Sequence, residues 1–200
     1  MPADEVESRI ISLARFRRRK SGKPLKGIGL CAMFCPQGDW AFDYALALAR
    51  AHSIRLNIFH VLDSPYKLRR DVVFVDAEHT KTARATPALL AEKEREFRQL
   101  YDERLGDYVD VGFRLCEGTQ EWELRKCLRR GEYDILVMPY EKVGGPFGED
   151  HTIEEFASSF RSPVVLVGPD APDSFHINRL AEEWLDLLMI PDSKWRIVAT

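Results

Sequence analysis

The C-terminal half of the chain carries unbroken apolar runs set between helix-length segments, and no other feature restricts the fold as much. ILVM (135–138) and VVLV (164–167) are continuous rather than alternating in hydropathy, and VGFRLC (111–116) is a short, mostly apolar strand beside them. Alternation would mean one wet face; continuity means burial on both faces, which requires parallel strands with helices above and below. The segments between them, 119–130 and 150–161, have helical spacing, and Asp150 offers itself as the cap of the second. In sheets of this type the ligand crevice lies beyond the carboxyl ends of the strands. A loop with Gly144, Gly145 and Gly148 follows Met138 at such an end.

The N-terminal half repeats the pattern. GIGLCAMF (27–34) reads as a strand, and Cys35-Pro-Gln-Gly38 leads to a helix with Phe42, Ala45, Leu46 and Ala49 on one side. IRLNIFHVL (54–62) is a second strand. Residues 67–84 read as a long irregular connection, with a short strand or an anchored turn at Val72-Val-Phe-Val75. Thr86-Pro87 opens a helix with a cap and a first-turn proline, and that helix runs to Leu105. Its face of Glu92, Lys93, Glu94, Arg95, Glu96 and Arg98 reads as a solvated surface without chemistry.

Five buried strands alternating with four helices predict one doubly wound, mostly parallel α/β domain with helices on both faces, over residues 26–168. An N-terminal helical extension (1–25) precedes it. A C-terminal extension (169–200) follows, read as an amphipathic helix over 176–190 and an edge strand over 194–199. The basic end of the first extension, Arg15 to Lys20, reads as a solvated docking helix.

Composition excludes some classes. A net charge of −3 exerts no general pull on nucleic acid, and no apolar run approaches the ~20 residues that span a bilayer. The expectation is a cytoplasmic protein without nucleic-acid partners. The four cysteines, at 31, 35, 116 and 127, contain no Cys-x-x-Cys pair, so zinc and thioredoxin spacings are missing and free thiols are expected. Cys35, at a strand end and a helix start, is the one thiol placed for a redox role. No nucleophile elbow, zinc helix or phosphate-binding P-loop occurs, and no catalytic or metal-binding assembly emerges.

Several blocks taken in order resemble the universal stress protein family: AFDYALALA (41–49), NIFHVLD (57–63), the Glu117-Gly118 pair, YDILVMP (133–139) and SPVVLVG (162–168). The resemblance covers about Lys26 to Gly168. It implies a nucleotide-binding-like α/β fold, homodimerisation through the 163–167 strand together with the C-terminal extension, and, in one branch of the family, ATP binding. That branch carries Gly-x2-Gly-x9-Gly-Ser/Thr after the fourth strand and an aspartate at the end of the first. Here Pro139 stands at the first glycine, Asp150 and His151 stand at the Gly-Ser position, and Met33 and Phe34 replace the aspartate; Val61 matches the adenine pocket.

Two functional readings follow. One is a regulatory or interaction module, dimeric, that does not bind ATP by the usual fingerprint. The other is a switch that holds ATP, ADP or AMP with Mg²⁺ in a rebuilt 139–152 loop, using Met33, Phe34, Val61, Pro139, Gly145, Gly148, Asp150, His151 and Thr152. Asp150 separates them, because a carboxylate at a helix start repels a phosphate there.

Overall fold

The computed structural model describes residues 25–66, 71–76, 79–148 and 150–198. The 1–25 extension therefore lies outside the described residues, save for Leu25.

A seven-stranded sheet forms the centre. In chain order its strands are β1 (Gly27–Cys31), β2 (Arg55–Leu62), β5 (Val111–Glu117), β6 (Ile135–Pro139), β9 (Val164–Val167), β10 (Phe175–Ile177) and β11 (Trp195–Ile197). Two short hairpins stand apart from it, β3 (Val72–Phe74) with β4 (Thr82–Arg84) and β7 (Pro146–Phe147) with β8 (His151–Thr152). The sheet order is β11-β10-β9-β6-β1-β2-β5, and every pairing is parallel except β9 with β10. The chain leaves β1 toward β2 on one side and later returns to β6 on the other. β1 is thus the switch point at which such sheets open a crevice.

Four longer helices cover the sheet: α1 (Pro36–His52), α2 (Pro87–Leu105), α3 (Gln120–Arg129) and α4 (Ile153–Ser159). The continuous apolar strands are explained by the two cores. Ile28, Leu30, Leu56, Ile58, Ile135 and Val137 face α1 and α2 with Phe42, Phe97 and Tyr101. Phe59, Val61, Leu136, Met138, Val164 and Leu166 face the other side with Leu124, Tyr133 and Phe156. The α/β class expected from the sequence is the one observed.

Three local expectations need correction. Residues 176–190 do not form one helix. Phe175–Ile177 is a strand because the outer edge of β9 has unpaired backbone groups that the chain itself can fill. Two single turns follow, α5 (Arg179–Glu182) and α6 (Leu185–Leu188), and Leu180 is 49% exposed. The second change is at the start of α4. Thr152 rather than Asp150 is its cap, in a capping box with Glu155, because β7 and β8 pair and use up residues 146–152. The third concerns the 163–167 strand. Its free edge, expected to meet a second copy, is taken by β10 of the same chain.

Asn178 fastens this C-terminal segment. It is 2% exposed and uses all four of its side-chain hydrogen-bonding positions. Its Nδ2 donates to the carbonyls of Ala157 (3.0 Å) and Ser162 (2.9 Å), and its Oδ1 accepts from the N–H groups of Val164 and Ala181 (3.1 Å each).

Candidate functional site

A cavity of about 350 Å³ opens at the carboxyl ends of β1 and β2. The end of β1 supplies Met33 and Phe34, and the end of β2 supplies His60, Val61 and Asp63. The β3–β4 hairpin roofs it with Phe74 and His79, and α2 supplies Lys93 and Phe97. Backbone bonds hold the roof: the Phe74 N–H donates to the Asp63 carbonyl (2.8 Å), and the Val75 N–H to that of Lys81 (3.0 Å).

The wall is aromatic and acidic. The His60 ring lies 4.8 Å from Phe34 and 5.3 Å from Phe97, centroid to centroid. Phe74 and His79 stack at 4.6 Å and 16°. Burial lowers the His60 pKa from its ordinary value, which keeps the ring neutral. Burial also raises the Asp63 carboxyl above the usual range, an effect the neighbouring His79 opposes; the two side chains approach to 3.8 Å. Lys93 is held at 2.8 Å by Glu96, one helical turn away. The surface assigned no chemistry from the sequence therefore contributes two residues to the cavity wall.

The front of α1 shapes this wall. Cys35 caps the helix, its sulfur accepting from the Gly38 N–H at 3.3 Å. Gly38 is required by close approach, since a Cβ there would stand 1.8 Å from the Met33 carbonyl oxygen. The Cys35 thiol is pushed up to about 11 by burial and by its hydrogen bond to Glu141, against the pull of the Gly38 N–H. This is the reverse of the activation that a redox role would use. Cys31, Cys116 and Cys127 are buried free thiols.

The glycine loop is a separate structure. Of the nine residues the sequence singled out for a nucleotide, the cavity gathers Met33, Phe34 and Val61 and none of the other six. Pro139 is the last residue of β6, paired with Val167. Gly145, Gly148, Asp150, His151 and Thr152 belong to the β7–β8 hairpin and its turns. The hairpin folds back on α4, where Phe147, 3% exposed, packs 4.4 Å from Phe156.

The loop's backbone donors are turned inward. Gly144 N–H donates to Glu154 Oε1 at 2.7 Å, and the Tyr140 hydroxyl donates to the same oxygen. Gly145 N–H goes to the Lys142 carbonyl (3.1 Å), and Ile153 N–H to the Gly145 carbonyl (3.0 Å). Thr152 N–H is taken by Glu155 Oε2 (2.8 Å), and Glu155 N–H by the Thr152 hydroxyl (3.2 Å). Burial works against the Glu154 charge, but these bonds from Tyr140 and Gly144 win and hold its carboxyl below the usual range. His151 is exposed, and the Asp150 backbone and the Glu121 carboxylate raise its pKa.

Sequence reasoning missed Glu154 and most of the cavity. Positions 93, 96, 97 and 100 recur at helical spacing and all line the cavity, a signal readable in advance. Asp63 and Phe74 carried no such pattern. Among the described residues no group of three or more His, Cys, Asp or Glu side chains is placed to hold a metal ion, and no helix is long and apolar enough to cross a membrane.

The class defined by this architecture is a mostly parallel α/β domain of the nucleotide-binding-like type. No protein-family model matches the chain, and no curated protein matches it. Solved structures do. The chain is similar to hypothetical protein MJ0577, at 16% identity over 71% of this chain and 94% of that one, with a TM-score of 0.50. It is similar to universal stress protein UspA from Lactobacillus plantarum, at 14% identity over 73% of this chain and 100% of that one (TM-score 0.49). It is also similar to a universal stress protein in complex with cAMP, at 20% identity over 74% of this chain and 100% of that one (TM-score 0.48). At 16% identity and a TM-score of 0.50, the likeness to the first of these is one of fold alone.

Proposed function

We propose that the chain is a universal stress protein-like regulatory or interaction module that does not hold ATP through its glycine loop. One observation carries this reading: the Glu154 carboxylate occupies the place in the loop where an anion would accept backbone N–H groups. A phosphate cradle works because such donors point outward at a helix start with no internal partner. Here the N–H groups of Gly144, Gly145, Thr152, Ile153 and Glu155 all have partners within the chain. A triphosphate would have to displace Glu154 and disrupt a capping box. The residues present do not fit ATP in that position.

A second reading, an adenine-nucleotide switch, draws support from the convergence of Met33, Phe34 and Val61 on one cavity. In that reading the base enters the cavity, and the phosphates with Mg²⁺ lie outside the glycine loop.

In the first reading function passes through protein contacts. Self-association by way of the 163–167 strand would require β10 to leave it. The C-terminal extension is the more accessible meeting surface, because β11 ends the sheet on that side. The test is to follow the amide resonances of Gly144 and Gly145 as ATP and Mg²⁺ are added to millimolar concentration. The module reading expects them unmoved. Saturating shifts at both glycines would eliminate it.

A further inference from the structure

The cavity at the ends of β1 and β2 combines three properties. At about 350 Å³ it lies within the range of small-molecule sites. Its rings, those of Phe34, His60, Phe74 and Phe97, come from four different elements and surround one space. Its charge is lopsided. Among the described residues, Asp63, Asp76, Glu96 and Glu141 line it against one lysine, Lys93, which Glu96 already neutralises.

The carboxylates are not equivalent. Asp76 is spent on its own turn, accepting from the N–H groups of Thr80 (3.1 Å) and Lys81 (2.7 Å). Glu96 holds Lys93. Glu141 is exposed at the rim, beside Cys35. Asp63 is the carboxylate in reserve. It sits at the mouth of β2 with its side chain 36% exposed, and among the described residues its ion-pair neighbour is the His79 ring at 3.8 Å, beyond hydrogen-bonding distance. A desolvated carboxylate without a close hydrogen bond gains from an incoming cation. The faces of aromatic rings attract the same kind of charge.

From this geometry we infer that the cavity binds a small organic cation, a primary ammonium on a flat aromatic or apolar body, with the ammonium on Asp63 and the body among Phe34, Phe74 and Phe97. The same wall repels anions, including nucleotide phosphates. The site is distinct from the closed glycine loop and stands or falls independently of it.

The experiment is calorimetric titration of the full chain with three probes. They are 2-phenylethylammonium, 3-phenylpropionate (similar in size, opposite in charge) and AMP. The expected result is saturable binding of 2-phenylethylammonium with a Kd of millimolar or tighter, and none by the two anions. Asp63→Asn should weaken the ammonium at least tenfold, and Phe34→Ala at least threefold. Phe34 is 55% exposed, so that variant keeps the test usable if Asp63→Asn fails to fold. Equal or tighter binding of 3-phenylpropionate or AMP would overturn the inference. So would a folded Asp63→Asn of unchanged affinity, or no ammonium binding at 10 mM.

Discussion

Removing the Asn178 side chain tests how the C-terminal extension is held. Asn178→Ala deletes four hydrogen bonds between 2.9 and 3.1 Å in a site that is 2% exposed. Each neutral bond contributes about 1 kcal/mol net, so the loss is about 4 kcal/mol. The Val164 N–H and the Ser162 carbonyl lose these bonds outright, while the Ala181 N–H keeps the Asn178 main-chain carbonyl (2.9 Å) and the Ala157 carbonyl keeps the Phe160 N–H (3.3 Å), so about 4 kcal/mol is the upper end. For a domain whose whole stability is about 5–15 kcal/mol this is a large fraction. With an m-value of about 2 kcal/mol per molar urea, the midpoint falls by about 2 M. Asn178→Asp keeps the two accepted bonds but sets a carboxylate oxygen against the carbonyls of Ala157 and Ser162, so at neutral pH it should be at least as damaging. Urea unfolding followed by circular dichroism gives the magnitude, and hydrogen exchange at Val164 and Ala181 locates it. A loss below 1 kcal/mol, or an Asn178→Asp variant as stable as the parent, would refute the assignment of Asn178 as the fastening residue.

Other predictions follow from single sites. Gly38→Ala meets the Met33 carbonyl at 1.8 Å, and since the obstacle is backbone the cost should reach about 3 kcal/mol, the upper end for overpacking; a melting temperature within a degree of the parent would contradict this. Glu154 has its carboxyl pKa lowered in the fold, so its contribution is complete above the ordinary value of 4.5 and disappears as pH falls through the folded value. Glu154→Gln should flatten that part of the stability-versus-pH curve below pH 4.5, and an unchanged curve would mean the carboxylate is not held as described. The Cys31 thiol is pushed up to about 12 and that of Cys35 to about 11, both chiefly by burial. Alkylation of the native protein at pH 8 should therefore be far slower than after denaturation, with Cys35 the first of these two to react, as mass spectrometry of peptides would show. Rapid native labelling of Cys31 would contradict its burial.

The sheet was legible because burial on both faces leaves a mark that a sequence cannot hide. Leu136 and Val137 point into opposite cores, so both must be apolar, and β1, β6 and β9 show the same continuity. Thr86 was legible as a cap because it is followed by Pro87. The errors occur where tertiary pairing overrides local period. Ile177 and Leu188 have helical spacing and are both fully buried, yet Ile177 is buried in a strand, drawn there by the edge of β9. At the site, Val61 with Met33 and Phe34 was recoverable because these residues lie at strand ends. The role of Glu154 was not. A glutamate in the first turn of a helix is ordinary on a helix surface, and only the fold of residues 140–152 brings Tyr140 and Gly144 onto it.

The central claim is that the chain's own carboxylate closes the glycine loop to phosphate. Thermal unfolding of the full protein with millimolar ATP, ADP and AMP, each with and without Mg²⁺, tests it most directly. A nucleotide at a hundredfold excess over its Kd would add about 2.7 kcal/mol, a shift easily seen. The account predicts no stabilisation by any of the three. Clear stabilisation of the parent protein by any of them, with saturating shifts at the Gly144 and Gly145 amides, would contradict it.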